Sequence, residues 1–238
     1  MVDNCLENSL LQGVASCLLC QAPIAWHEDF CLPCKQGLRE DCQRCPRCAA
    51  VLPTSTPKGV PCGACQKQPP AFQSTQALFT YAFPVNALVQ ALKYDGQLHL
   101  ARVMGKLLAQ HLSPGVSGDI SQGVDFVTPV PLHRSRLQQR GYNQSLELAR
   151  PLVRALGLRL EPAAIHRVRA TAPQAELPMK ARRQNVRNAF EVNADKVRGK
   201  HIGLLDDVMT TGFTVNEIAR CLHKAGAASI KVWVLARA

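Results

Sequence analysis

Ile202-Gly203-Leu204-Leu205-Asp206-Asp207-Val208-Met209-Thr210-Thr211-Gly212-Phe213-Thr214 sets the architecture of the chain. Its apolar run is too short for a helix and ends in two adjacent carboxylates. A loop of Thr, Thr and Gly follows, then an amphipathic segment from Thr214 to Ala225. That order predicts a buried parallel strand, a tight loop and a helix N-terminus. Backbone N–H groups at a helix start lack internal partners and carry partial positive charge, so small hydroxyl residues there suit a phosphate. Thr210, Thr211 and Thr214 add hydroxyl donors, and Gly212 lets the backbone come close. Asp206 and Asp207 cannot take that phosphate, but they can accept from sugar hydroxyls beside it or hold a divalent metal. A phosphorylated sugar satisfies both halves.

Upstream, Asp125 to Leu132 reads as a short strand that stops in Pro129 and Pro131, because proline breaks ladder bonding and turns the chain away. Arg134, Arg136 and Arg140 follow, then Gly141-Tyr142-Asn143-Gln144 and a helix with Leu146, Ala149, Val153 and Leu156 on its apolar face. Arginines just past a parallel strand are well placed for pyrophosphate, since ligands of open α/β sheets bind at that edge. Charge points the same way. The chain of 238 residues carries a net +11, yet residues 1–75 are neutral, and residues 133–200 hold fifteen Lys or Arg against five Asp or Glu. A basic block of this kind fits a polyanion, either pyrophosphate or nucleic acid.

Ten of the eleven cysteines lie in residues 5–65. Eight form four C-x2-C pairs: Cys17/Cys20, Cys31/Cys34, Cys45/Cys48 and Cys62/Cys65. Each pair can bring two thiolates to one tetrahedral zinc, and two pairs complete a closed structural site. About two zinc ions per chain are expected; disulfides are disfavoured without a secretory signal. Sequence neighbours give two ribbons in tandem, while spacing leaves an interleaved pairing open. Cys42 offers a second register for the third knuckle, with Cys45/Cys48 preferred because Pro46 sits inside its turn. Cys5 reads as a free thiol, and Cys221 as a small apolar residue on the core face of its helix.

The remaining elements frame these motifs. Pro69-Pro70 forms a stiff joint, which divides a zinc-ribbon domain over residues 1–70 from an α/β domain over 71–238. Leu78–Phe83 has strand character, and Pro84 opens a helix carrying Val85, Leu88, Val89 and Leu92 on one face and ending near Lys93. A second helix runs from about Leu98 to Leu112. Arg167 to Phe190 shows weak periodicity and basic content, which suggests a mobile loop or lid. Ile230–Leu235 closes the sheet. No apolar run approaches the roughly 20 residues that span a bilayer, and Met1–Leu11 carries Asp3 and Glu7 in place of a basic n-region. A cytoplasmic location is expected.

The Ile202–Thr214 stretch resembles the binding motif for phosphoribosyl pyrophosphate (PRPP) in type I phosphoribosyltransferases. The resemblance implies that Asp206 and Asp207 contact the ribose hydroxyls and that the segment Val208, Met209, Thr210, Thr211, Gly212, Phe213, Thr214 holds the 5′-phosphate. Phe213 stands where such motifs more often have a small residue. Taken together, Pro129–Arg134 through Arg140–Gln144, the Arg167–Phe190 block and the acidic motif behind a double zinc ribbon resemble the ComF/GntX family, with GntX-type proteins nearest. Pro178 and Gln184 depart from its usual pattern of Ser and a basic residue. That likeness implies a type I phosphoribosyltransferase-like parallel sheet, PRPP bound with Mg²⁺, and ties to natural competence and use of external DNA.

Two functional readings follow. In one, a phosphoribosyl group is transferred from PRPP to a base. Asp206, Asp207 and Arg140 then serve the reaction, Arg134, Arg136 and Arg140 stabilise the leaving pyrophosphate, and Lys93 assists; such chemistry rests on positioning and charge neutralisation. In the other, the site binds PRPP while the protein serves DNA uptake, with single-stranded DNA or the competence machinery as partner.

Overall fold

The computed structural model describes residues 14–38, 42–113, 122–170 and 184–238, so Cys5 and Pro178 lie outside it. The chain forms two compact units, Met1–Asp41 and Cys42–Ala238. The sequence drew its boundary at residue 70, whereas compactness puts the second cysteine cluster in the same unit as the sheet. In the first unit, β1 (Val14–Ser16) and β2 (Pro23–Ala25) pair antiparallel, with Ala15 opposite Ile24, ahead of the short helix α1 (Leu32–Gly37). Among the described residues of this unit the buried side chains are Cys17, Phe30 and Leu38, a small apolar set.

The second unit opens with α2 (Gly63–Lys67) and is built on a four-stranded sheet, β3 (Ser74–Thr80), β4 (Phe126–Pro129), β7 (His201–Met209) and β8 (Ser229–Arg237). Their order is β3-β8-β7-β4, and every pairing is parallel. The parallel α/β sheet read from the sequence is therefore present. Central β7 buries Ile202, Leu204 and Leu205 completely, as a strand covered on both faces requires. On one face, Ile202, Leu204, Val232 and Val234 share a core with Val215, Ile218, Ala219 and Leu222 of α8 (Phe213–Lys224). On the other side, α4 (His99–Leu112) packs against α6 (Gln144–Leu156) and touches β3 and β8. Among the described residues no helix is long and apolar enough to cross a membrane.

Several expectations shift in detail. The first strand of this sheet is Ser74–Thr80, four residues earlier than read, because Thr75, Ala77 and Phe79 alternate inward. Strand β4 stops at Pro129, short of Leu132. Arg134–Arg140, read as a turn, is the helix α5, capped by the His133 ring accepting from Ser135 N. In α6 the buried stripe is Leu148, Ala149, Leu152 and Val153, while Leu146 and Leu156 lie only half-buried beside it. The ends of the Arg167–Phe190 block are packed: β5 (Ile165–Arg167) and β6 (Phe190–Val192) pair antiparallel, and Val186 and Ala189 are buried. Residues 171–183 of that block lie outside the described residues. A further short helix, α7 (Ala194–Val197), leads into β7.

Candidate functional site

The carboxyl end of β7 carries Asp206 and Asp207 into a cleft of about 390 Å³. The two carboxylates are held differently. Asp206 Oδ1 accepts from Ser145 Oγ at 3.0 Å and from Asp207 N at 2.9 Å. Asp207 Oδ1 accepts from Val208 N at 2.6 Å, and its Oδ2 lies 2.8 Å from Lys93 Nζ. Burial pushes the Asp206 carboxyl up, and the neighbouring Asp207 charge adds to this, so that it titrates at about 7 despite Lys93 and the hydrogen bonds. For Lys93, burial works against the charged form, but Asp207 outweighs it and holds the ammonium above its ordinary value.

These side chains converge because three elements end together. Lys93 sits in the last turn of α3 (Val85–Tyr94), and Ser145 in the first turn of α6. Asn143 caps α6 by accepting from Ser145 N at 3.0 Å, while its Nδ2 donates to Val130 O just past β4 at 3.0 Å. The α6 N-terminus is thus tied to the strand edge, which sets Ser145 against Asp206.

Beyond Met209 the chain enters Thr210-Thr211-Gly212 and then α8. Gly212 adopts φ +75°, a left-handed turn that favours glycine. It provides no side-chain cap, so the first-turn N–H groups of this 12-residue helix face the cleft, which Val208 to Val215 line. Arg237 of β8 braces the loop by donating from Nη1 to Met209 O at 3.1 Å. Phe213 is half-buried against the core and also lines the cleft.

Lys93, Arg136 and Arg140 line the cleft, whereas Arg134 is exposed and does not. The sequence passed over Ser145, Tyr94 and the side chain of Arg167, all of which line it. Arg167 stacks on Phe190, its guanidinium carbon 5.4 Å from the ring centre. The Arg140 guanidinium lies 5.2 Å from the Tyr94 ring centre.

The cysteines fall into two tetrads, Cys17/Cys20/Cys31/Cys34 and Cys45/Cys48/Cys62/Cys65, in each of which all sulfurs lie within 4.8 Å of one another. The grouping is tandem, and the third knuckle uses Cys45. Cys20 Sγ and Cys31 Sγ are 3.6 Å apart, and Cys48 Sγ and Cys62 Sγ 3.7 Å. A tetrahedral zinc with Zn–S near 2.3 Å sets its sulfurs roughly 3.8 Å apart, so the donor sets fit the ion. The tetrads also repeat one design. After the first knuckle of each, a non-glycine residue turns left-handed, Gln21 at φ 61° and Ala49 at φ 55°. Its N–H returns to the first cysteine carbonyl, at 3.0 Å and 2.8 Å. The later pair then opens a short helix with Cys31 or Cys62 at its N-cap. Burial works against ionisation of Cys17, but backbone donors of Cys20, Cys31 and Leu19 outweigh it and bring the thiol to about 6. Cys221 is half-buried against the core, its Sγ 3.8 Å from Phe190 O.

The Phosphoribosyl transferase domain model matches residues 143–238, which run from the Asn143 cap through β8. DNA utilization protein YhgH of Salmonella typhimurium is 38% identical over 222 residues, 93% of this chain and 96% of the relative. Competence protein F of Haemophilus influenzae is 34% identical over 213 residues, covering 86% and 92%. Competence protein ComFC of Streptococcus pneumoniae is 29% identical over 172 residues, covering 69% and 68%. With identity above 30% over most of the chain to the first two of these relatives, an acidic strand end meeting a hydroxyl loop, and two cysteine tetrads ahead of it, the chain belongs to the ComF family and carries a type I phosphoribosyl transferase domain.

Proposed function

We propose that this protein binds PRPP together with Mg²⁺ at the carboxyl end of β7 and acts in DNA utilisation. The observation that carries the reading is the convergence of three chemistries on one cleft: the acidic pair Asp206 and Asp207, the hydroxyl loop at the α8 N-terminus, and the arginines Arg136 and Arg140. The ribose hydroxyls donate to the acidic pair, with Ser145 orienting Asp206. The 5′-phosphate accepts from the first-turn N–H groups and from Thr210, Thr211 and Thr214. The pyrophosphate takes the two arginines, whose forked donors match phosphate oxygens, and Arg134 adds field from outside the cleft. Lys93 neutralises Asp207, leaving the acidic pair less repulsive to an anionic ligand. Mg²⁺, bound with PRPP, supplies charge neutralisation at the pyrophosphate.

The role in DNA utilisation rests on what the relatives are called, and the basic residues 133–200 agree with it. Single-stranded DNA and the uptake machinery are the partners, the cytoplasm the compartment, and about two structural zinc ions the resident metals. The second reading is catalytic transfer to a base, which the arginine-lined cleft supports because it can stabilise departing pyrophosphate.

Calorimetric titration of the full zinc-loaded chain with PRPP and Mg²⁺ tests the binding. One site per chain is expected, weakened at least about tenfold by Asp206→Asn with Asp207→Asn, as two lost charged acceptors would do. Absence of PRPP binding by the folded parent overturns the reading. Pyrophosphate release on addition of one of the nucleobases separates transfer from binding alone.

A further inference from the structure

Beside the β7 cleft lies a second groove of about 440 Å³, within the roughly 300–1,000 Å³ usual for small ligands. Lys93, Tyr94, Arg136 and Arg140 line both spaces, while Gly96, Gln139 and Tyr142 belong to the groove alone. Its frame is fixed by backbone. The Tyr142 hydroxyl donates to Leu92 O near the end of α3, and Asn143 ties the next residue of the same joint to Val130 O. The α5–α6 joint and the α3 C-terminus are therefore locked across the groove floor.

Its chemistry is uneven. No carboxylate lines the groove among the described residues, and Lys93 is matched by Asp207 at 2.8 Å. The positive charge lining the groove is therefore that of Arg136 and Arg140, four apart on α5 and so on one helix face, while the Asp95 charge acts at its Tyr142 edge. Arg140 stacks on one face of Tyr94 at 5.2 Å. Tyr94 nevertheless stays 73% exposed, which leaves the opposite ring face open. An aromatic ring already backed by a guanidinium offers a flat, preorganised platform.

We propose that this groove binds a nucleotide, its base on the open face of Tyr94 and its phosphate on Arg136 and Arg140. A planar base stacks on an aromatic side chain without needing a specific hydrogen-bond edge, and paired guanidinium groups suit phosphate oxygens. The groove adjoins the PRPP site but the proposal does not rest on PRPP binding. A free nucleoside monophosphate and the phosphorylated end of a single strand present the same chemistry.

The test is titration of the full zinc-loaded chain with adenosine 5′-monophosphate and, separately, with a short 5′-phosphorylated oligodeoxyadenylate. Tyr94→Ala is expected to weaken both about tenfold or more, the size of a lost stacking platform, while Tyr94→Trp retains affinity. Gln139→Glu, which places a carboxylate in the groove alone, is expected to weaken both independently. An oligonucleotide that binds more tightly than the monophosphate, with affinity falling steeply in salt, identifies the strand end as occupant; equal affinities identify the free nucleotide. Monophosphate affinity unchanged in both Tyr94→Ala and Gln139→Glu overturns the proposal, because the nucleotide then sits in the β7 cleft. Nucleotide binding without PRPP binding would sink the PRPP reading and leave this one standing, and the converse result would do the opposite.

Discussion

Asp206 and Asp207 are neighbours on one strand, yet among the described residues Asp207 is the one in an ion pair, at 2.8 Å from Lys93. Burial and the Asp207 charge beside it raise Asp206 from an ordinary 3.8 to about 7, against the lowering pull of Lys93, the Asp207 N–H and the Ser145 hydroxyl. An acid whose folded pKa exceeds its unfolded one binds its proton more tightly when folded. Its contribution to stability is complete below about pH 4 and is lost as pH rises through about 7. Asp206→Asn removes that linkage. Urea unfolding should show the parent losing ground against Asp206→Asn between about pH 4 and about pH 7, whereas parallel profiles would mean Asp206 is not so perturbed. The acidic pair and hydroxyl loop were legible because they sit in one continuous segment. Ser145 was not, since a serine at a helix start reads as any cap, and its meeting with Asp206 depends on Asn143 anchoring α6 to β4. Arg134 lies outside the cleft that Arg136 and Arg140 line, because two residues along a short helix turn a side chain to another face.

That helix, α5, was illegible for a related reason. Arg134–Arg140 buries no residue, and its one large apolar side chain, Leu137, is 40% exposed, so no stripe betrays it. The sheet was easier, because β7 and β8 are apolar runs of strand length bounded by polar residues. The stripe of α6 shifted from the expected positions because close contact with α4 selected it. A Cβ on Gly105 of α4 would lie 2.5 Å from Leu148 O and from Pro151 Cγ of α6, so only glycine lets the two helices approach so closely. Pro151 in turn sits inside α6, where it removes a backbone donor, so that side of α6 cannot close up by simple tightening. Gly105→Ala therefore forces the helices apart and is expected to cost about 1–3 kcal/mol. Thermal unfolding would register this as a drop of several degrees, and an unchanged midpoint would show that the α4–α6 contact is looser than its geometry.

At the scale of the whole chain, the two cysteine tetrads share a design but not their surroundings. The first belongs to a unit whose buried side chains beyond cysteine, among the described residues, are Phe30 and Leu38. Without metal, so few buried apolar side chains offset little of the entropy of ordering those residues. The second tetrad has its own small cluster around Leu52 and is stitched to the sheet. Thr75 of β3 donates through Oγ1 to Arg47 O at 2.7 Å and through N to Pro46 O at 3.3 Å, while Arg237 of β8 donates to Cys48 O at 2.9 Å. None of these bonds runs through the metal. Repetition of C-x2-C pairs was plain in the sequence, but this asymmetry was not, because it depends on residues from β3 and β8 far along the chain. Chelation followed by limited proteolysis should therefore proceed in two stages. Metal analysis before treatment should find about two zinc ions per chain. Mild chelation should expose residues 1–41 to cleavage first, leaving a resistant fragment beginning near Cys42, identifiable by intact mass. Stronger chelation should then open the Cys45–Cys65 segment while the β3-β8-β7-β4 sheet persists. Simultaneous loss of both regions would mean that the bonds from Thr75 and Arg237 do not hold the second ribbon in place.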